Sequence, residues 1–335
     1  MPVNIGLNGF GRIGRYLLRL LADDPELAIT AINARADNPS LAHLYKYDSV
    51  HRTFQGSVEP NDRGFIVNGR QVDVTRKSMG EWIWGELGVD MVVETTGTLK
   101  DGPSLAKHIE RGAKKSIISA PGSNVDITVV MGVNHNDYKP AEHHVVSNAS
   151  CTTNCLAPPA KVLHERFGIR HGLMTTIHSY TMSQRILDGS HKDWRRARAA
   201  AVSMIPTTTG AAKAIALVIP ELRGKLDGMA VRVPTPNVSM VDLTCELERD
   251  ASTEEVNAVL KEAASGVMKG FMGYTEEPLV SCDFIGSTYG GVVDAGCTHV
   301  MNRRMLKLVL WYDNEAGFTN QLARLLRMMA QGLRA

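Results

Sequence analysis

Two rhythms of hydrophobic and polar positions run along this chain, and the change from one to the other falls near residue 150. Before it, short apolar runs at 3–8 (VNIGLN), 27–33 (LAITAIN), 89–94 (VDMVVE), 116–119 (SIIS) and 145–147 have the length of buried strands. Leu17, Leu18, Leu20 and Leu21 repeat at helical spacing after the first run, and a second helical segment lies near 103–112. Strands alternating with helices predict an α/β, doubly wound domain. The stretch 51–80, rich in Gly, Asn and Arg, reads as a hairpin insertion.

Beyond residue 150 the pattern lengthens. A helix over about 152–167 is followed by β-branched runs at 173–181, 229–247, 279–285, 291–300 and 305–312. Few helices intervene, one of them opened by the capping box Ser252-x-x-Glu255, and the amphipathic stretch 317–333 closes the chain. This predicts an α+β second domain with a mostly antiparallel sheet. The expected division is 1–150 with 315–335 in one domain and 151–314 in the other.

The first turn carries chemistry. Gly9-Phe10-Gly11-Arg12-Ile13-Gly14 is a G-x-G-x-x-G between strand and helix, the setting of a Rossmann-type dinucleotide-binding loop. Its glycines admit a tight turn and a close pyrophosphate, and the helix N-terminus supplies free N–H groups. A glycine-rich hairpin is the alternative, and the leucine-rich helical run after Gly14 weighs against it.

Composition narrows the classes. With 335 residues, 44% hydrophobic, the chain can bury two cores. Five cysteines, a low and odd number, suit a reducing compartment. The opening MPVNIGLNGF lacks the basic and apolar regions of a signal peptide, and no apolar run approaches the roughly 18 residues of a membrane span. A net charge of +2 gives no strong field for nucleic acid or an anionic membrane, so a cytoplasmic globular protein is expected. The basic stretch HKDWRRAR (191–198) accordingly reads as a solvated loop rather than a nucleic-acid patch.

Cys151 and Cys155 in SNASCTTNC admit three readings: a disulfide, half of a metal site, or a nucleophile beside a bystander. At i and i+4 on one helix face they lie at the outer limit of disulfide geometry. The other cysteines, at 245, 282 and 297, are too scattered to complete a metal site, so no metal is expected. Cys151 at a helix N-terminus, where the dipole lowers a thiol pKa, fits a nucleophile best. His178 in TTIHSYT is a candidate base, although spacing alone says little for one histidine among eleven.

The blocks LNGFGRIGR, SNASCTTNCLAP, PTTTGAAKA, RVPTPNVS and WYDNE resemble, in order and spacing, those of the phosphorylating glyceraldehyde-3-phosphate dehydrogenase family, over essentially the whole chain. The resemblance implies a cysteine nucleophile at Cys151 with His178 as base, and a structural Cys155. It implies oxidation of glyceraldehyde 3-phosphate with inorganic phosphate and NAD or NADP, through a thioester, to an acyl phosphate. Ser150, Thr152, Thr181, Arg196, Thr209, Gly210 and Arg232 would form its two anion pockets. Cofactor contacts are implied for Asn8, Gly9, Phe10, Gly11, Arg12, Ile13, Gly14, Ala34, Arg35, Arg76, Thr96, Gly97, Ser119, Ser190 and Asn314, the last holding the nicotinamide carboxamide. A homotetramer is implied too, with the loop at about 181–205 reaching a neighbouring subunit's cofactor. Erythrose-4-phosphate dehydrogenase and a non-catalytic binding protein on the same scaffold are the rival readings; the retained TTTG and HSYT segments and the intact Cys151/His178 pair argue against them.

Three departures matter. Where the family reads Ile-Asn-Asp, this chain has Ile32-Asn33-Ala34-Arg35, and Gly189-Ser190 stands where NAD-specific relatives carry Leu-Pro. An acidic residue there hydrogen-bonds the ribose hydroxyls of NAD. Its replacement by Ala34, with Arg35 beside it, makes NADP or dual use the expectation. Ala316 and Phe318 replace the usual Trp and Tyr near the last helix, and no regulatory cysteine pair is expected at the C-terminus.

Overall fold

The computed structural model describes residues 1–334. The chain divides into two compact units: Met1–Val129 with His135–Ala149 and the segment from Leu322 onward, and Val130–Asn134 with Ser150–Gln321. The division thus differs from the expected one in three places, the first being Ser150, which opens the second unit. Val130–Asn134 joins the second unit, and the C-terminal boundary falls between Gln321 and Leu322 rather than before residue 315. That boundary lies inside one continuous helix, and a helix carries no composition break where it passes from one unit to the next.

In the first unit β1 (Val3–Asn8) leads into α1 (Arg12–Leu21) and β2 (Leu27–Asn33), which pairs parallel with β1. A helix absent from the sequence reading, α2 (Asn38–Lys46), follows. Its signal was a cap rather than a period: Asp37 accepts from the Ser40 N–H at 2.8 Å, and Pro39 stands in the first turn. The segment read as a hairpin insertion forms β3 (Val58–Asn61), β4 (Gly64–Val67) and β5 (Arg70–Thr75), antiparallel among themselves, with β5 parallel to β2. The sheet continues through β6 (Met91–Glu94), β7 (Lys115–Ile118), β8 (Ile127–Thr128) and β9 (Val145–Ser147), with α3 (Gly102–Glu110) between β6 and β7. Its order, β3-β4-β5-β2-β1-β6-β7-β9-β8, puts β1 at the centre with all its neighbours parallel. Register sets Asn8 of β1 opposite both Asn33 of β2 and Glu94 of β6, so three polar side chains meet at the carboxyl ends of the strands.

The second unit opens with α4 (Cys151–Phe167) and carries a seven-stranded sheet: β10 (Ile169–Ser179), β11 (Ile205–Thr208), β12 (Leu226–Val233), β13 (Ser239–Leu247), β14 (Met272–Thr275), β15 (Gly291–Met301) and β16 (Met305–Tyr312). Its order is β11-β12-β10-β13-β16-β15-β14, and only β10 with β12 and β14 with β15 are parallel. The helices α5 (Ala211–Ala214), α6 (Thr253–Ser265) and α7 (Ala316–Arg334) complete the chain, α6 with both halves of its capping box made. Two strand expectations are corrected. The run 229–247 is two strands, broken where Pro234 and Pro236 deny ladder N–H groups and Val238 turns to φ +65°. The run 279–285 is no strand; Ser281–Phe284 is a short helical turn capped by Asp283, and the edge strand is Met272–Thr275.

The sheet packs closely beneath α4. A Cβ on Gly291 would lie 2.7 Å from Cys155 Sγ, so β15 approaches the helix too closely for a side chain. Cys155 is fully buried there, and all five cysteines are free thiols.

Candidate active site

Ser150 caps α4: its Oγ accepts the Thr153 N–H at 3.0 Å and the backbone is extended, which leaves Cys151 as the first helical residue. Immediately before it Ala149 sits at φ +56°, a sharp turn that swings the chain into the helix. Cys151 is half-buried, and its Sγ lies 3.6 Å from Nε2 of His178, near the end of β10. The tautomer of His178 follows from its other nitrogen. Nδ1 is 2.7 Å from the Ser179 carbonyl, which can only accept, so Nδ1 carries the proton and Nε2 turns its lone pair to the thiol. Arg232 Nη1, 3.2 Å from Nδ1, directs its hydrogens to the Ser179 carbonyl at 3.1 Å and to Thr181 Oγ1 at 3.3 Å.

Burial sets the charges. It holds His178 down at about 3, with the Arg232 cation adding to the effect, and raises the Cys151 thiol. Arg232 and the hydroxyl and N–H of Thr152 pull the thiol the other way. Burial therefore favours a thiol facing a neutral imidazole, against the thiolate expected from the helix terminus alone, and the proton has 3.6 Å to cross.

The expected anion-binding residues gather unevenly. Arg232 lies opposite His178 in the β10–β12 register, and its Nε is buried with no partner among the described residues, a donor that an anion could satisfy. Thr181 is bonded to it. Arg196 is braced by Thr207 Oγ1 (2.9 Å), the Thr208 carbonyl (3.3 Å) and Asp193 (3.5 Å), beside Thr209, whose Oγ1 accepts the Ala211 N–H. Gly210, just before α5, has open space where a Cβ would stand. The Thr152 side chain departs from expectation. Its Oγ1 is turned inward to the Tyr312 hydroxyl at 2.8 Å, so what it leaves for an anion is its N–H at the helix terminus. Tyr312 itself was missed: fully buried, it bonds Thr176 as well as Thr152 and packs edge-on to His178 at 5.9 Å. An apolar strand ending in tyrosine gives no periodic signal for such a role. Asn314 accepts from both Ser179 and Ser239 hydroxyls at 2.8 Å through Oδ1, which leaves Nδ2 as the outward donor. Ala316 and Phe318 are buried at the start of α7.

In the first unit a cleft of about 700 Å³ is lined by the glycine loop, the end of β2 and the residues after β6. Gly9 stands at φ +100°, where a Cβ would lie 2.8 Å from the Thr96 N–H, and a Cβ on Gly14 would meet the Gly9 carbonyl at 2.9 Å. Gly11 faces open space and caps α1 with no side chain, so the first N–H groups of that helix stay open to a phosphate. The residues fit a dinucleotide. Asn8, Gly9, Phe10, Gly11, Ala34, Arg35, Arg76 and Thr96 line the cleft. Ile13 and Gly14 lie behind the loop in α1, and Gly97 at φ +74° faces open space. Ser119 Oγ is held by the Glu94 carbonyl. Arg12 points its guanidinium away, in a two-pronged pair with Asp48. Arg76 grips the Ala36 carbonyl and Asn38. Ser190, in the second unit, is exposed, with its carbonyl clasped by Arg185 at 2.7 Å. Among the described residues no group of His, Cys, Asp or Glu side chains is placed to hold a metal ion, and no helix is long and apolar enough to cross a membrane.

A mostly parallel-sheet unit with an open glycine loop, together with a unit that sets a helix-terminal cysteine beside a histidine, has the make-up of a dinucleotide-dependent oxidoreductase. Comparison with known proteins narrows the class. Residues 3–102 match the NAD binding domain of glyceraldehyde 3-phosphate dehydrogenase, and residues 150–314 match its C-terminal domain. The chain is 57% identical over 331 residues to the glyceraldehyde-3-phosphate dehydrogenase of Geobacillus stearothermophilus, covering 98% of this chain and 99% of that one. It is 53% identical to glyceraldehyde-3-phosphate dehydrogenase 1 of Bacillus subtilis, covering 99% of each. It is 48% identical to glyceraldehyde-3-phosphate dehydrogenase 2 of Trichormus variabilis, covering 98% of this chain and 99% of that one. The chain belongs to the glyceraldehyde 3-phosphate dehydrogenase family.

Proposed function

We propose that this protein oxidises glyceraldehyde 3-phosphate with inorganic phosphate, through a thioester on Cys151, to 1,3-bisphosphoglycerate. The observation that carries the reading is the 3.6 Å approach of Cys151 Sγ to an imidazole whose Nε2 is free to take a proton. Sγ attacks the aldehyde carbon as its proton passes to Nε2 and on to the aldehyde oxygen, giving a hemithioacetal and leaving Nε2 free again. Nε2 next takes the hemithioacetal hydroxyl proton as the carbon loses hydride and becomes a thioester. A bound nicotinamide would supply the acceptor for that hydride. Phosphate oxygen then attacks the thioester carbon, the C–S bond breaks, and the Cys151 sulfur takes the proton back from Nε2 as the acyl phosphate leaves. Arg232, with its unpartnered Nε, and Arg196, Thr181, Ser150, Thr209, Gly210 and the Thr152 N–H hold the two phosphates.

The cleft of the glycine loop would hold the dinucleotide, NADP or both NADP and NAD, and the family resemblance gives the carboxamide to Asn314 in the second unit. Arg35 supports this: it lines the cleft, is exposed and makes no hydrogen bond or ion pair among the described residues. A homotetramer is supported by the segment 181–205, which exposes Met182, Ile186, Leu187, Trp194, Val202 and Met204 together. Five free thiols fit work in a reducing cytoplasm.

The test is the pair of variants Cys151→Ser and His178→Asn, assayed by appearance of reduced cofactor. The first abolishes turnover while leaving cofactor binding intact, and the second slows it by roughly 10²–10⁴-fold. Near-normal turnover in Cys151→Ser would refute the thioester route.

A further inference from the structure

Glu94, at the carboxyl end of β6, is 1% exposed and does not itself line the cleft, yet the donors of the cleft floor converge on it. Asn8 Nδ2 donates to Oε2 at 2.5 Å, and the Thr96 N–H donates to Oε1 at 2.7 Å with the Thr96 hydroxyl closing on the same oxygen. Behind it lies His108, fully buried, with Nε2 3.4 Å from Oε2. An indole N–H can only donate, and Trp84 Nε1 lies 3.1 Å from His108 Nδ1. Nδ1 must therefore accept, and Nε2 carries the proton that faces Glu94.

Directionality then runs forward as well. A carboxylate only accepts, so Asn8 turns Nδ2 to Glu94 and leaves Oδ1 for Asn33, whose Nδ2 donates to it at 2.9 Å. Asn33 is left with Oδ1 facing the Lys77 N–H at 2.8 Å and the Thr75 hydroxyl at 3.0 Å. One acceptor thereby dictates the orientation of every amide and hydroxyl in a ribbon that crosses β6, β1, β2 and β5. Asn8, Asn33, Thr96 and Lys77 line the cleft; Glu94, His108 and Trp84 do not.

We propose that Glu94 is a positioning residue for the cofactor, backed by His108 and Trp84, which sets the polar floor that either dinucleotide meets. The inference rests on the reading of this cleft as the dinucleotide site. A glutamine at 94 brings an NH₂ where two sets of donors already point, so Asn8 or Thr96 must turn away.

The experiment measures Kd for NAD and for NADP by calorimetry, with kcat and KM, in wild type and in Glu94→Gln. Kd and cofactor KM are expected to rise together by roughly 10- to 100-fold, alike for both cofactors, with kcat at saturation and aldehyde KM within about twofold, because misplaced binding groups act before chemistry. Unchanged Kd in the variant, beside normal wild-type binding, overturns the positioning role alone. A loss confined to kcat or to aldehyde KM also overturns it. Failure of wild type to bind either dinucleotide overturns both this inference and the reading of the cleft. Should Glu94→Gln not fold, the ¹⁵N spectrum of wild-type His108 still decides: the Nε2–H tautomer is expected, and the Nδ1–H tautomer overturns the proposal.

Discussion

Cofactor choice is predicted to turn on Asn33 at the end of β2 and on Arg35 and Asp37 just after it. Asn33 has both ends of its amide committed, to Asn8 and Lys77 on one side and to Thr75 and Lys77 on the other. Asp37, the nearest carboxylate in sequence, is occupied by the Ser40 N–H and hydroxyl as the cap of α2. Asn33 has no lone pair left for a ribose hydroxyl, Asp37 is tied to Ser40 as a helix cap and does not line the cleft, and Arg35 presents a cation to that cleft. The perturbation is Arg35→Leu, then Ala34→Asp with it. A charge-assisted hydrogen bond is worth about 1.5–3 kcal/mol, but Arg35 is exposed, so about 1 kcal/mol is the better figure. At about 1.4 kcal/mol per tenfold, Arg35→Leu should lower kcat/KM for NADP about fivefold and leave NAD nearly unchanged. The added aspartate should cost NADP roughly a further tenfold by repulsion while giving NAD a ribose acceptor. Because the contact is exposed, NADP preference should also weaken in high salt. Initial rates with each cofactor, below saturation and at two ionic strengths, measure all of this. A strong wild-type preference for NAD that the double substitution leaves unchanged would refute the reasoning.

Three further outcomes follow from the geometry. Gly291→Ala drives a methyl to 2.7 Å from Cys155 Sγ and should cost about 1–3 kcal/mol, read as a lowered unfolding midpoint; an unchanged midpoint would mean that β15 gives way freely. Burial holds His178 at about 3 in the folded chain, against about 6.5 when unfolded. In that window the unfolded chain takes up a proton that the folded chain refuses, so stability is full above about pH 6.5 and falls as pH drops, by at most about 1.4 kcal/mol per unit. His178→Asn should flatten that slope in urea melts between pH 4 and 7, and equal slopes would contradict the buried neutral imidazole. Replacing exposed Ile186 and Trp194 by aspartate should shift sedimentation toward smaller species, whereas a wild type that is already an active monomer rules out the tetramer.

What the sequence determined by itself was local. The glycine loop was legible because a tight turn before a helix admits few residue types, and Cys151 stood out because a small polar run before a helical one is a cap. The α/β character of the first half and the mostly antiparallel second sheet followed from run lengths and periods, which report burial directly. Tertiary structure decided whatever depended on partners far along the chain. His178 gained its role from a sulfur 27 positions away and from a carbonyl that set its tautomer. Thr152, an anion-pocket candidate by sequence, turned inward because a buried tyrosine hydroxyl needed a partner. The run at 279–285 looked like a strand, yet among the described residues it joins neither sheet, while Met272–Thr275 pairs with β15. Glu94 read as the last residue of an apolar strand. Only the registers of β1 against β6 and β2 brought Asn8 to Glu94 and Asn33 to Asn8, because hydrogen-bond direction is passed between side chains that pairing, not sequence distance, makes adjacent.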